Sequence, residues 1–209
     1  PYIMGHTAEF VAQLLDISRE EMDEVALRSN NNAERATGDG LFKEEIVPVT
    51  IPRRKKDPLV FDADEHFRPG LTADQLAKLP PAFVPKEGKV TAGNASGIND
   101  GSAGVLIMSE TKAKELGLTP LAKIKAVGKG GCHPAVMGLS PVPAVNQLLD
   151  KSGLNISDFD LVEVNEAFAA QYIACERELG LDRDKTNVNG SGIGLGHPVG
   201  ATGARLIVT

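Results

Sequence analysis

Apolar residues recur at helical spacing near the start of the chain, at Phe10, Val11, Leu14 and Leu15, and again at Met22, Val25 and Ala26. The second run follows Ser18-Arg19-Glu20-Glu21, the order of a capping box, so a helix is predicted to begin there. From Gly40 to Thr91 the periodicity breaks. Pro48, Pro52, Pro58, Pro69, Pro80, Pro81 and Pro85 leave room for short strands, turns and one helical stretch from Thr72 to Lys78. The pattern to about Gly97 is that of a loop-dominated domain covering something else.

Further along, the pattern changes to alternating strand and helix. Gly104 to Met108 reads as a buried strand and Thr111 to Leu116 as a helix stopped by Gly117. Lys123 to Val127 is a second strand candidate. Ser140 can cap a helix with Pro141 at its first position, Val145, Leu148 and Leu149 on its buried face and Gly153 past its end. Leu161 to Val164 then reads as a strand, Glu166 to Leu179 as a helix closed by Gly180, and Thr186 to Val188 as a strand. Strand, helix, strand in this order predicts an α/β unit with a parallel sheet and right-handed crossovers.

With 42% hydrophobic residues in 209, a sizeable core is available. No apolar run approaches a membrane span, and residues 1 to 20 lack the order of a secretory signal, so a cytoplasmic or organelle-matrix setting is expected. The net charge of -6 argues against nucleic acid as the main partner. Arg53-Arg54-Lys55-Lys56, bracketed by prolines, reads as a solvated loop, or else as an attraction for an anionic ligand. Cys132 and Cys175 make no disulfide framework, and His6, His66, His133 and His197 share no metal-ligand spacing. Cys132-His133 is expected to be a loop detail, and Cys175 core.

Two positions can carry chemistry. Asn165 directly follows the strand Leu161-Val162-Glu163-Val164, at the strand end where α/β proteins bind ligands. Its amide can donate to a water or to a carbonyl oxygen, as an oxyanion site requires, or it can cap the next helix. Downstream, glycine recurs at nearly every other position of Asn189 to Gly203, removing side chains where something must approach the backbone. The run fits neither a dinucleotide fingerprint nor a P-loop, and it holds no nucleophile elbow. His197 is its only side chain that titrates near neutrality, and Pro198 can begin a helix behind it.

Asn165-Glu166-Ala167-Phe168 and Gly196-His197-Pro198 resemble the thiolase family. So, in order, do Met4-Gly5 with Thr7-Ala8-Glu9, Glu44 to Val49, Arg68, Pro81-Ala82-Phe83, Thr91 to Gly101 and Met137-Gly138. The resemblance covers nearly the whole chain. It implies a thiolase fold: a parallel or mixed sheet with helices on both faces, plus a loop-rich α+β domain that binds CoA, incomplete here. The implied division is residues 1–97 for the CoA-binding loop domain, 98–119 for the last strand and helix of an N-terminal core half, and 120–209 for a truncated C-terminal core.

The implied activity is acyl transfer between CoA thioesters through an acyl-cysteine, of the short-chain, acetoacetyl-CoA type. His197 would activate the cysteine and share an oxyanion hole with a water held by Asn165. CoA contacts would come from Arg68 and Phe83 near the nucleotide end, Ala92 and Ser96 along the pantetheine, and Met137, Ala167 and Phe168 near the reacting end. No metal and no cofactor beyond CoA thioesters as substrates is implied, and the protein would be a homodimer or homotetramer. The family nucleophile would lie before Pro1 and a second cysteine beyond Thr209, so this chain is not expected to turn over alone. Ile3 and Gln75 depart from the family pattern. The competing readings are a noncatalytic CoA- or lipid-binding relative and an unrelated metal hydrolase using His133 or His197.

Overall fold

The computed structural model describes residues 2–209. Among them run eight α-helices: α1 (Met4–Leu14), α2 (Arg19–Gly38), α3 (Ala73–Ala77), α4 (Glu110–Glu115), α5 (Pro141–Ser152), α6 (Ala169–Leu179), α7 (Gly192–Leu195) and α8 (Thr202–Val208). Two strands, β1 (Val49–Ile51) and β2 (Leu59–Phe61), separate α2 from α3, and 3-10 turns occur at Pro134–Leu139 and Ile156–Asp158.

The core is where α1, α2 and α6 meet. Val11 and Ala12 of α1, Met22, Val25 and Ala26 of α2, and Ala169, Ala170, Ile173 and Ala174 of α6 form one buried cluster. The alanines let the helix axes approach closely, and each large apolar side chain enclosed there contributes about 1.5–3 kcal/mol. α2 starts as its sequence predicts. The Ser18 hydroxyl accepts from Glu21 N and the Glu21 carboxylate from Ser18 N, at 3.1 and 2.8 Å. α3 has the same reciprocal cap between Thr72 and Gln75. Lys89 and Val90 N–H groups donate to the Glu9 carboxylate, which ties the covering loops to α1.

β1 and β2 form an antiparallel hairpin with Val49 opposite Phe61, exposed throughout. Its connection carries Arg53 to Lys56, so this basic run is a solvated loop, pinned only by Arg53 Nε donating to the Asp57 carbonyl.

Elsewhere the strand expectations need correction. Gly104 to Met108 and Lys123 to Val127 form no strand and pair with no strand among the described residues, and Leu106 is 82% exposed. A strand without a neighbour has no ladder, however strong its β propensity. The segments at 161–164 and 186–188 do meet in parallel, but only as the bridge between Val162 and Thr186. Val162 N donates to Lys185 O and Asn187 N to Val162 O, and α6 makes the crossover between them.

The helices largely follow the sequence. α5 ends at Gly153 (φ +70°), although Ser140 makes no side-chain cap and the apolar face is only half-buried. α6 ends at Gly180 as expected but starts at Ala169, three residues later than Glu166, because residues 166–168 are engaged elsewhere.

Candidate active site

Glu166 organises the region. It is buried; Oε1 accepts from Asn187 Nδ2 (2.9 Å), and Oε2 from the Ser29 hydroxyl (2.5 Å) and from Ile193 N (3.3 Å). Burial pushes its carboxyl above the ordinary range, against the pull of these three donors. The Ser29 hydroxyl, having donated, accepts from Ser191 N and Gly194 N at 3.2 and 2.9 Å. One serine on α2 thus joins Glu166 to the backbone entering α7.

Asn187 completes the arrangement. It holds a left-handed backbone (φ +51°), and its side-chain amide accepts from Val164 N and donates to Val164 O, both at 2.8 Å. A side chain thereby satisfies the backbone pair that a sheet neighbour would otherwise meet. Asn165, the next residue, is fixed at its start.

The glycine run is packed from within. A Cβ on Gly194 would strike the Ser29 carbonyl, and one on Gly192 would lie 2.7 Å from Asn165 Oδ1. What approaches this backbone so closely is α2 and the 165–166 segment. α8 begins at Thr202 rather than at Pro198, whose carbonyl instead closes the turn by accepting from Ala201 N and Thr202 N.

At the end of the run, the half-buried His197 is brought to Asn165: Asn165 Nδ2 stands 3.3 Å from His197 Nε2. Asn165 caps no helix, since α6 starts at Ala169 with Phe168 as its N-cap and no side-chain cap. Its Oδ1 is buried and has no hydrogen-bond partner among the described residues. Burial, aided by the Arg205 guanidinium, holds the His197 imidazole below its usual range, so it is neutral at neutral pH. His197 N donates to Asn99 Oδ1 (3.1 Å), and Asn99 Nδ2 lies 3.2 Å from His66 Nδ1.

Beside this pair Arg205 and Glu163 face each other at 3.8 Å, too far for a hydrogen bond, and neither Glu163 Oε2 nor Arg205 Nη1 has another partner. Burial therefore outweighs the attraction and pushes Glu163 up to about 7.

The other candidate residues fall around two hollows. Asn165, Ala167, Phe168 and Met137 line an apolar cavity of about 450 Å³ together with Val11, Val164 and Cys175. Arg68 and Ala92 line a second, of about 270 Å³, with Asn30, His66 and Gly97. Phe83 sits edge-on to Phe168, ring centroids 6.2 Å apart, behind a residue that lines the first hollow. Ser96 N donates to Ala167 O at 3.0 Å.

Cys175 is buried, bonded to the Gly138 carbonyl, and its thiol is pushed up to about 11 by burial, which makes it a poor nucleophile. The exposed Cys132 bonds to Val136 O and Ser140 Oγ, while His133 Nδ1 accepts from Ala135 N, so this pair is a loop detail. Among the described residues no group of His, Cys, Asp or Glu could hold a metal, and no helix is long and apolar enough to cross a membrane.

Ser29, Asn187, Asn99, Thr202 and Arg205 escape sequence reasoning. Only Thr202 carries a local signal, its place five residues after His197 across a Pro-Val-Gly turn; the others come from distant segments.

The chain belongs to the thiolase family: residues 1–111 match the family description "Thiolase, N-terminal domain" and residues 118–209 match "Thiolase, C-terminal domain". Its fold is the thiolase fold, a helix-rich α/β arrangement. It is 55% identical over 206 residues to an acetyl-CoA acetyltransferase of Thiocystis violacea, covering 99% of this chain and 52% of that protein. The acetyl-CoA acetyltransferase of Cupriavidus necator is 54% identical over 208 residues, covering 100% and 53%. The crystal structure of the Bacillus anthracis acetyl-CoA acetyltransferase superposes with TM-score 0.95 at 55% identity, over 99% of this chain and 52% of that one. Human mitochondrial 3-ketoacyl-CoA thiolase in complex with CoA superposes at 0.88 and 44%, over 98% and 50%. The chain thus spans about half the length of the relatives it matches.

Proposed function

We propose that the intact protein is an acyl-CoA C-acyltransferase of the acetyl-CoA acetyltransferase type. It catalyses the reversible condensation of acetyl-CoA to acetoacetyl-CoA through an acyl-cysteine. The observation that carries this reading is the meeting of Asn165 with His197 at 3.3 Å, a neutral base beside an amide donor at the edge of an apolar cavity. His197 takes the proton of a cysteine supplied by sequence outside this chain. As imidazolium it then donates to the thioester oxygen as negative charge develops there. Asn165 supports the same oxyanion through its amide and a water.

Met137, Ala167 and Phe168 shape the reacting end, where the cavity suits a short acyl group. Arg68 and Ala92 lie in the neighbouring hollow, where the guanidinium can meet a phosphate. Ser96 holds Ala167 in line, and Phe83 backs Phe168. In this reading residues 1–97 are the CoA-binding loop domain, 98–119 the end of one core half and 120–209 the other. The enzyme works as a homodimer or homotetramer in the cytoplasm, with CoA thioesters as substrates and no bound cofactor.

The test is a rapid-quench assay of CoA release from acetyl-CoA by the full-length protein. The wild type is expected to give a burst of one CoA per active site; His197→Ala should abolish it, and Asn165→Ala should slow it by on the order of a hundredfold. A full burst in the His197 variant removes that residue from its role. A full-length wild type that binds CoA without any burst leaves the noncatalytic relative as the better reading.

A further inference from the structure

The His197 ring is gripped on both sides. Nδ1 lies 2.7 Å from the Thr202 hydroxyl oxygen, and Nε2 faces the Asn165 amide nitrogen. Thr202 is buried, and its hydroxyl donates to the Pro198 carbonyl at 3.0 Å. A threonine hydroxyl has a single proton. Once that proton is directed at Pro198, Thr202 offers only lone pairs to His197, so Nδ1 must carry a hydrogen. On the other side Asn165 Nδ2 stands 3.3 Å from Nε2, a long contact that does not by itself fix a tautomer, so the choice falls to Thr202. The turn itself makes this geometry: the Pro198 carbonyl binds Ala201 N and Thr202 N at 2.7 and 2.8 Å, which folds the Thr202 side chain back under the ring.

We propose that Thr202 is a positioning residue that fixes His197 as the Nδ1–H tautomer and so makes Nε2 the atom that receives a proton. The tautomer follows from this chain's own hydrogen bonds; only the use of Nε2 to deprotonate a thiol rests on the thiolase reading above. In that step the thiol proton passes to Nε2, leaving a thiolate and an imidazolium. The imidazolium keeps its Nδ1–H on the Thr202 oxygen, so the ring does not turn as it becomes charged. A hydroxyl in this place holds orientation without adding charge, unlike a carboxylate, and leaves the base weak enough to return its proton.

The tautomer is read from long-range proton–nitrogen correlation spectra of the chain labelled with ¹⁵N-histidine, above the pH at which His197 titrates. The wild type should show protonated Nδ1 and bare Nε2; Thr202→Ser should keep that pattern, and Thr202→Val should lose it in favour of Nε2–H. In the full-length protein Thr202→Val is expected to slow acylation by on the order of a hundredfold, with Thr202→Ser recovering most of the rate. A wild-type spectrum with Nε2–H overturns the proposal, as does a valine variant with an unchanged tautomer. The wild-type and serine spectra decide the matter even if the valine variant fails to fold. A full-length wild type with the expected tautomer but no acylation would count against the enzymatic reading and uphold the assignment of Thr202.

Discussion

From Val162 to His197 the chain meets its polar backbone groups with side chains drawn from far away in sequence. Asn187 pairs with Val164, Ser29 with Ser191 and Gly194, and Asn99 with His197. From Gly101 to Val127 the chain has apolar strand-like segments too, yet apart from Ala113 on α4 none of its apolar side chains is buried. Both regions have β-forming sequence. They differ in what reaches them. The first is enclosed by α2 and α6, which supply partners for lone backbone groups, and the second has no paired strand among the described residues. A candidate site can therefore be held in place where the surrounding sheet is reduced to isolated bridges, provided buried side chains replace the missing ladder.

The largest effect should come from removing the hydroxyl that joins the parts. Ser29→Ala leaves Glu166 short of a donor and Ser191 and Gly194 N–H groups short of an acceptor. It is expected to lower stability by about 1–3 kcal/mol in urea unfolding. A change near zero would mean that the network is not what holds the first region.

Next is the pH dependence of that region. Glu163 is raised from an ordinary 4.5 to about 7 by burial, so between these values the native state keeps a proton that the unfolded chain has released. Stability should then fall as pH rises from about 4.5 to 7, by about 1–2 kcal/mol after solvent screening. Glu163→Gln should flatten the profile over this window; an unchanged slope would assign it to other groups.

The smallest effect belongs to the second region. Leu106→Ala removes a side chain that is 82% exposed and should change stability by less than about 0.5 kcal/mol. A loss of the size seen for buried leucines, about 2–5 kcal/mol, would show that this segment packs against something in solution.

What could be read from the sequence follows the same division. The capping box at Ser18, the stops at Gly117, Gly153 and Gly180, and the core face of α2 are local patterns, and the structure has them, whereas α1 buries Ala8, Val11 and Ala12 and leaves Phe10 and Leu14 exposed. Asn165 and His197 stood out because of their places after a strand and within a glycine run. No local pattern shows their nearness across 32 residues, which only the family resemblance implied, and Ser29 and Asn187 were not legible because nothing near those residues marks them. The glycine run marked a close approach without saying what approaches. Its missing side chains make room for α2, and the same absence would serve a ligand equally well. The strands at 104–108 and 123–127 misled because β propensity describes a segment, and pairing needs a second one.

Amide hydrogen exchange of this chain, read segment by segment, compares the two regions most directly. The account predicts slow exchange at Val164, Ser191, Ile193, Gly194 and His197, whose N–H groups are bonded to Asn187, Ser29, Glu166 and Asn99, and unprotected exchange at residues 104–108 and 123–127. Equal exchange in both regions, or protection confined to the second, would contradict it.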